Sequence, residues 1–350
     1  MACAPARPHL ASLALEALAG RLDAWGEPGY RAAQIFEAVH ARGVLDPARM
    51  TTLPAPLRAR LAEGTRPAAT EVVETATSAD DTVKLLLALE DGRRIETVLI
   101  PEGSRRTVCV STQVGCPMGC IFCASGVGGL LRNLETAEIV EQVLHVRGRL
   151  DVRPTHVVVM GMGEPLLNLD ALTRAIALWR HPRGLHLSPR RITVSTASTA
   201  ALIRRFGDAG LGVNLAVSLH APDDAIRQRL VPTSRPGRTR ELVRAAREEA
   251  RRSGRDATVE YVLIAGLNDR PPHARALGAL LRGGHVHVNL IPLNPVGHRP
   301  DLRAPTAGSA GTFARTLRAA GVSVTLRTRR GESIHAACGQ VALERTGAPE

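Results

Sequence analysis

Cys116, Cys120 and Cys123 stand in the spacing C-x3-C-x2-C, inside the run Thr-Val-Cys-Val-Ser-Thr-Gln-Val-Gly-Cys-Pro-Met-Gly-Cys-Ile-Phe-Cys-Ala-Ser-Gly over 107–126. Cysteine thiolates are the usual ligands of iron in iron–sulfur clusters. Three from one short loop can hold three corners of a [4Fe–4S] cube and leave the fourth iron open to bind and activate a substrate. Gly115, Gly119 and Ala124 are small enough to let the backbone close around such a cube. Zinc fits less well, because structural zinc takes four ligands and no second C-x2-C pair occurs. A disulfide framework suits small secreted domains, not a chain of 350 residues.

A second set of chemistry-bearing residues follows. The run Val157–Asn168 is an apolar stretch ending in Gly161-Met-Gly163-Glu164-Pro165. Glu164 at a strand end can accept hydrogen bonds from a ligand ammonium, although Gly-x-Gly-Glu alone also reads as a plain tight turn. Ser195, Ser218 with His220, and Asn294 close three further apolar runs. Together they offer a ring of small polar groups suited to a ribose, an adenine edge and a carboxylate. Cys338 lies near the C-terminus between small residues, and Cys109 lies seven residues before Cys116. Cys338 reads either as a buried small hydrophobe or as a nucleophile on a loop, with Cys109 as a thiol able to resolve a covalent intermediate.

The elements that must position these residues follow from pattern. Residues 10–22 and 30–41 and the stretch around Leu57 and Leu61 have helical spacing, so 1–69 is expected to form a helical accessory module. The segment 70–105 reads as a β extension, with strands at 71–77, 82–89 and 94–100 and a hairpin signal at Asp91-Gly92. From 106 to 327 strands (107–113, 155–161, 191–196, 213–219, 257–264, 285–291) alternate with helices (135–147, 169–180, 200–209, 223–230, 239–252, 272–282, 311–320). Strict alternation implies a parallel sheet with right-handed crossovers. Six units are too few for a closed eight-fold barrel, so the expected fold is α/β, an open (β/α)6 partial TIM barrel. A last strand over 322–327 precedes a tail, 328–350, that carries Cys338.

Composition bounds the setting. The formal net charge is +12 and the pI about 10.8, which favours a polyanionic partner, nucleic acid first. Lys84 is the single lysine among 45 Lys and Arg residues. A coding bias explains arginine over lysine but not the excess of basic over acidic residues. No apolar run approaches the roughly 18 residues of a membrane span, and the Leu/Ala-rich run near the start is broken by Glu16 and Arg21. The reading is therefore a cytoplasmic protein with no membrane partner.

The motifs Arg94-Ile-Glu-Thr-Val-Leu-Ile-Pro101, Cys109-Val-Ser-Thr-Gln-Val-Gly-Cys116, Gly161-Met-Gly-Glu-Pro-Leu-Leu-Asn168, Arg191-Ile-Thr-Val-Ser-Thr196, Ser218-Leu-His-Ala-Pro222 and Ala336-Ala-Cys-Gly-Gln340 occur in order. This series resembles the RlmN/Cfr family of radical S-adenosylmethionine RNA methyltransferases over nearly the whole chain. Glu164-Pro165 and the long N-terminal module resemble the RlmN branch, which methylates C2 of adenosine; C8 methylation, as in the Cfr branch, is the alternative. The resemblance implies that Cys116, Cys120 and Cys123 hold the [4Fe–4S] cluster. It implies that Gly163, Glu164, Ser195, Ser218, Leu219, His220 and Asn294 hold S-adenosylmethionine. It makes Cys338 the methyl carrier, Cys109 its disulfide partner and Glu96 the general base.

The same resemblance implies two S-adenosylmethionine molecules per turnover. One methylates Cys338; the other yields a 5′-deoxyadenosyl radical that activates the S-methyl group for addition to the electron-poor carbon. The implied partners are 23S rRNA and/or tRNA and an electron donor such as flavodoxin or ferredoxin, acting on a monomer. One departure is Ser333, where the family pattern has an acidic residue. Two other readings differ in class: an RNA-binding protein with a purely structural cluster, in which Glu164, Cys109 and Cys338 would be idle, and a radical enzyme of the glycyl-radical-activating type. Replacing any one of Cys116, Cys120 or Cys123 with Ala should abolish the brown absorbance of the reconstituted protein and its cleavage of S-adenosylmethionine. Full iron content and full cleavage in any of the three variants would show that they do not share one cluster.

Overall fold

The computed structural model describes residues 7–235, 237–284, 286–327 and 331–340. The N-terminal helices are α1 (Leu15–Asp23), α2 (Tyr30–His40) and α3 (Ala55–Gly64). The single helix expected over 10–22 is instead a 3-10 turn, Leu10–Ser12, followed by α1. Leucine and alanine favour a helix, but Ser12 Oγ donates to His9 O at 2.8 Å. Such local bonds compete with helix continuation, and Leu13 is extended. The helices bury Leu18, Leu22, Ile35, Phe36, Val39, Leu57 and Leu61.

The β extension contains β1 (Thr70–Thr77), β2 (Val83–Leu89) and β3 (Arg94–Glu102), paired antiparallel in that order. Next comes β4 (Arg105–Cys109), antiparallel to β3 on one side. A small separate sheet pairs β5 (Gln113–Gly115) with β6 (Leu130–Asn133). The remaining order is α4 (Thr136–Arg149), β7 (His156–Val159), α5 (Leu169–Arg180), β8 (Ile192–Thr196), α6 (Ala200–Asp208), β9 (Asn214–Ser218), α7 (Asp224–Leu230), α8 (Arg238–Ser253), β10 (Ala257–Leu263), α9 (Pro271–Leu281), β11 (Val286–Pro292), α10 (Ala307–Ala319) and β12 (Ser323–Leu326).

One ten-stranded sheet runs β1-β2-β3-β4-β7-β8-β9-β10-β11-β12. From β4 onward every pairing is parallel. The expected open (β/α)6 array is present, with β12 added as its outer strand. The helix-covered face of these strands is apolar, as buried Val157, Val159, Ile192, Val194, Leu215, Val217, Val259, Tyr261, Val288 and Leu290 show, while the alternate residues, among them Ser195, Ser218, Glu260 and Asn289, are polar.

The strand expected over 107–113 is not continuous. After Cys109 one more bond continues the ladder with β7, and then the backbone turns to other partners. Val110 N donates to Val158 O, Ser111 N to the side chain of buried Gln142 at 2.7 Å, and Thr112 N to Met162 O. Gln142 Nε2 returns a bond to Ser111 O at 2.9 Å. One buried amide thus substitutes for a neighbouring strand and frees residues 113–115 to form the cluster hairpin.

The helical module meets the barrel by backbone contact. A Cβ on Gly43 would lie 2.6 Å from Gly148 N and from Leu144 O. Gly43 also has φ +73°. Gly148→Ala should therefore act as overpacking, costing roughly 1–3 kcal/mol. A lowered melting temperature and faster proteolysis between the module and β1 would register it; an unchanged melt would show that the two backbones separate freely.

Candidate active site

The cysteine loop hangs from β5. Gly115 has φ +78°, and any side chain there would run into Gly129 O, which accepts from Cys116 N at 2.9 Å. Ile121 N donates to Leu230 O at 3.1 Å, tying the loop to the end of α7. Phe122 packs edge-on to the His220 ring at 4.8 Å. Cys116, Cys120 and Cys123 all face one cavity of about 160 Å³. Burial pushes the Cys116 thiol up to about 12 and raises the other two, and neighbouring thiols add to the rise at Cys116 and Cys120.

Among the described residues no three such side chains converge tightly enough to ligate a single metal ion. A [4Fe–4S] cube takes each cysteine on a separate iron, and three thiols lining one cavity supply the donor set for three of its corners. Binding the cluster would remove the thiol protons that burial otherwise retains.

Opposite the loop lies Glu164, which is buried. Thr196 Oγ1 donates to its Oε1 at 2.7 Å, Ala197 N to its Oε2 at 2.9 Å and Leu166 N to Oε1 at 3.2 Å. Burial raises its carboxyl, while these bonds and the Arg227 charge pull it down. Gln113 Oε1 accepts from Glu164 N at 2.7 Å. Gly163 has φ +110°, and a Cβ there would meet the Gln113 side chain at 2.7 Å.

Ser195 Oγ lies 3.1 Å from Ser218 Oγ. Leu219 N and His220 N both donate to Glu260 O. His220 has φ 59°, and its Nδ1 accepts from Val262 N at 3.1 Å, which leaves the proton on Nε2. Burial first, then Arg227, lowers its pKa to about 3, so the ring is neutral. Asn294 donates through Nδ2 to Cys338 O at 2.9 Å. Its buried Oδ1 has no hydrogen-bond partner among the described residues. An orphaned acceptor in a polar cavity calls for a donor from a ligand, and the amine, hydroxyls and adenine N–H of S-adenosylmethionine supply that chemistry.

The tail folds over this cavity. Ala124 N, in the cysteine loop, donates to Gly339 O at 2.8 Å. Gly339 has φ +85°, and a Cβ there would meet Phe122 O at 2.7 Å. Gln340 Nε2 donates to Pro295 O at 3.0 Å. Cys338 opens into the cavity while its walls surround it, and burial, Glu260 and Cys123 raise its thiol. Ala336 and Ile334 pack with Cys109 and Val98. Cys109 is raised by burial first and then by Cys338, so the two thiols lie within reach of each other's charge. Glu96 is buried on the same sheet face, with Lys84 Nζ 3.0 Å from its Oε1. Of the expected tail, 328–330 and 341–350 lie outside the described residues; Ser333 is exposed.

Sequence reading missed Arg227. It is buried on α7 and donates through Nη1 to Ser218 O (2.7 Å) and Leu219 O (2.5 Å), and through Nη2 to Ala197 O (2.8 Å). Burial lowers its pKa to about 10, against the charges of Cys120, Asp224 and Glu164. Glu260, a buried carboxyl on the cavity wall held by Asn289 Nδ2 at 2.9 Å, was also missed. Neither residue has a local sequence signal.

Residues 110–276 match the family model described as the radical SAM superfamily. A radical SAM methyltransferase from Sphaerobacter thermophilus, known as a crystal structure, superposes with a TM-score of 0.92 at 43% identity, covering 96% of this chain and 100% of that one. Fold and cysteine loop together define a radical S-adenosylmethionine enzyme, which carries a [4Fe–4S] cluster. Residues 9–66 match the model described as the ribosomal RNA large subunit methyltransferase N-terminal domain. Proteins of Symbiobacterium thermophilum (44% identical; 96% of this chain, 91% of that one) and Desulforudis audaxviator (48%; 87% and 96%) are both named probable dual-specificity RNA methyltransferase RlmN. The chain belongs to the RlmN family of radical S-adenosylmethionine RNA methyltransferases.

Arg227→Met should strand three carbonyls at the ends of β8 and β9, the buried one of Leu219 at a cost of roughly 1–3 kcal/mol. S-adenosylmethionine affinity of the reconstituted protein, measured by equilibrium dialysis, should fall at least about tenfold, with Arg227→Lys intermediate. Wild-type affinity in Arg227→Met would mean that the strand ends hold their shape without it.

Proposed function

We propose that this enzyme methylates C2 of an adenosine in 23S rRNA and in tRNA, with Cys338 as methyl carrier and Cys109 as resolving thiol. The supporting observation is that one cavity is lined by Cys338 and all three loop cysteines, with Cys109 packed against the segment that delivers Cys338. The names of the relatives support the dual substrate, and Pro165 after Glu164 supports C2 over C8. The +12 charge suits an RNA partner.

When bound, the cluster supplies the electron for reductive cleavage of S-adenosylmethionine. Cys116, Cys120 and Cys123 would hold it. Gly163, Glu164, Ser195, Ser218, Leu219, His220 and Asn294 would hold the sulfonium substrate: the Glu164 carboxylate toward its ammonium, the paired serines toward hydroxyls, the neutral His220 and Asn294 Oδ1 toward the remaining polar edge. Two such molecules serve one turnover, one of them to methylate Cys338. The Cys338 side chain then carries the one-carbon unit to C2, which no simple displacement can methylate because the carbon is electron-poor. Glu96 takes the C2 proton. Cys109 attacks Cys338 Sγ, the carbon–sulfur bond breaks with its electron pair on the transferred carbon, that carbon takes a proton to become the methyl group, and methylated RNA leaves as the Cys109–Cys338 disulfide forms. A small reductant such as flavodoxin or ferredoxin supplies electrons, and the working form is a cytoplasmic monomer.

Mass spectrometry of nucleosides from rRNA and tRNA treated with the reconstituted enzyme tests the product; 8-methyladenosine in place of 2-methyladenosine would overturn the C2 assignment. The two thiols should fail differently. Cys109→Ala can be methylated and can add to the base but cannot resolve, so a nuclease-sensitive protein–RNA adduct through Cys338 should accumulate on denaturing gels. Cys338→Ala should form none. Normal turnover by Cys109→Ala, or an adduct in Cys338→Ala, would reverse the assignment.

A further inference from the structure

Three consecutive residues of the tail are gripped from two sides. Asn294 Nδ2 donates to Cys338 O at 2.9 Å, and Gln340 Nε2 donates to Pro295 O at 3.0 Å, so the loop after β11 holds the segment 338–340 at both ends. Between them Gly339 O accepts from Ala124 N of the cysteine loop at 2.8 Å. Asn294 is 5% exposed and lines the same cavity as Cys338 and the three loop cysteines. Its Oδ1 is buried and has no hydrogen-bond partner among the described residues.

The two ends of this amide are not interchangeable. A peptide carbonyl can only accept, so the atom facing Cys338 O must be the amide nitrogen. The oxygen is then the end left for a ligand. A buried acceptor costs free energy while it is unpaired, and a ligand N–H or O–H that reaches it removes that cost. It also fixes the amide plane. The terminal torsion of asparagine is broad, so an amide held at one end can swing, whereas one held at both ends cannot.

We propose that Asn294 is a positioning residue for the carrier cysteine: one amide joins S-adenosylmethionine through Oδ1 to the Cys338 backbone through Nδ2, so that the bound ligand and the seated tail stabilise each other. The inference rests on the reading of Asn294 as a group that holds S-adenosylmethionine. The segment it acts on has few other attachments. Gly331 N donates to Asp80 Oδ2 at 3.1 Å, and Ile334 and Ala336 pack on Val98 and Cys109. Coupling of this kind is reciprocal: the factor by which the ligand favours the seated tail is the factor by which the seated tail favours the ligand. The carrier thiol is thus held in place when the sulfonium is there to meet it.

The test uses the reconstituted full chain, with and without S-adenosylmethionine. It reads ligand affinity by equilibrium dialysis and hydrogen–deuterium exchange of the peptide covering 331–340, with the visible spectrum of the cluster as the check on folding. In the wild type, saturating ligand should slow that exchange by roughly 5–150-fold, the usual range for two coupled sites. Asn294→Leu keeps neither bond, so it should bind the ligand more weakly and, once saturated, show exchange that the ligand no longer slows. Asn294→Asp keeps an oxygen toward the ligand but sets a second against Cys338 O; its tail should exchange faster and lose the ligand's effect as well. Gln340→Leu removes a tail bond that does not run through Asn294, so its tail should exchange faster in both states yet keep the ligand's factor. Exchange that the ligand leaves unslowed in the wild type, or slows as much in the Asn294 variants as in the wild type, would overturn the coupling while a weakened affinity in Asn294→Leu kept the ligand contact. Loss of the ligand's factor in Gln340→Leu would also overturn it, because loosening the tail by any route would then suffice. Wild-type affinity in Asn294→Leu would instead overturn the reading of Asn294 as a ligand group, and this inference with it.

Discussion

A buried cation must find hydrogen bonds and counter-charges inside the protein, and Arg227 finds them through its two terminal nitrogens at the point where the site is assembled. Its guanidinium closes on carbonyls from β9 and from the loop after β8. Burying an ion of this size costs several kcal/mol, by order of magnitude, unless geometry and opposite charge offset it. The offset comes from Asp224, Glu164 and the Cys120 side. The carbonyls it binds belong to Ser218, Leu219 and Ala197, and the next residue along, His220, turns back into the cavity with a positive φ. The polar ring at the cavity mouth is thus held from behind by one charge, and the cysteine loop in front of it would join the same electrostatic balance once a cluster took its thiols as thiolates.

The tail adds a second dependence. Its described residues are held by backbone and amide bonds, from Ala124, Asn294 and Gly331, with Ile334 and Ala336 as its apolar contacts. Short bonds of this kind fix a segment in place without burying much surface, and such segments lie toward the low end of local stability. On the proposed reading of Cys338 as methyl carrier, this sort of attachment would let the same thiol face different partners in turn.

How much of this was readable without coordinates differs from residue to residue. The three loop cysteines and Glu164, which line one cavity, stand out in contiguous sequence: cysteine spacing and a glycine turn are local properties. The order of the parallel strands is legible because β/α alternation leaves few topologies. The break after Cys109 was not legible, since it depends on the Gln142 side chain reaching from α4. Arg227 is one arginine among dozens, and only its burial distinguishes it. Lys84 was conspicuous by composition alone, yet its proximity to Glu96 comes from pairing across a hairpin that letter counts do not encode.

That hairpin has a consequence of its own. Side chains alternate across a strand, so a slip of one residue between β2 and β3 would turn Glu96 to the opposite face, where Thr97 now donates to Gln142 Oε1 at 2.7 Å. The register is fixed by the turn at 90–93, with Gly92 at φ +76° and Leu89 N bonded to Arg93 O at 2.8 Å. Arg132 of the cluster hairpin reaches this turn through Asp91 at 2.6 Å. A surface turn with no chemistry of its own therefore acts as the gauge that decides which side of the sheet a carboxylate serves, and it is clamped to the strand beside the cluster loop.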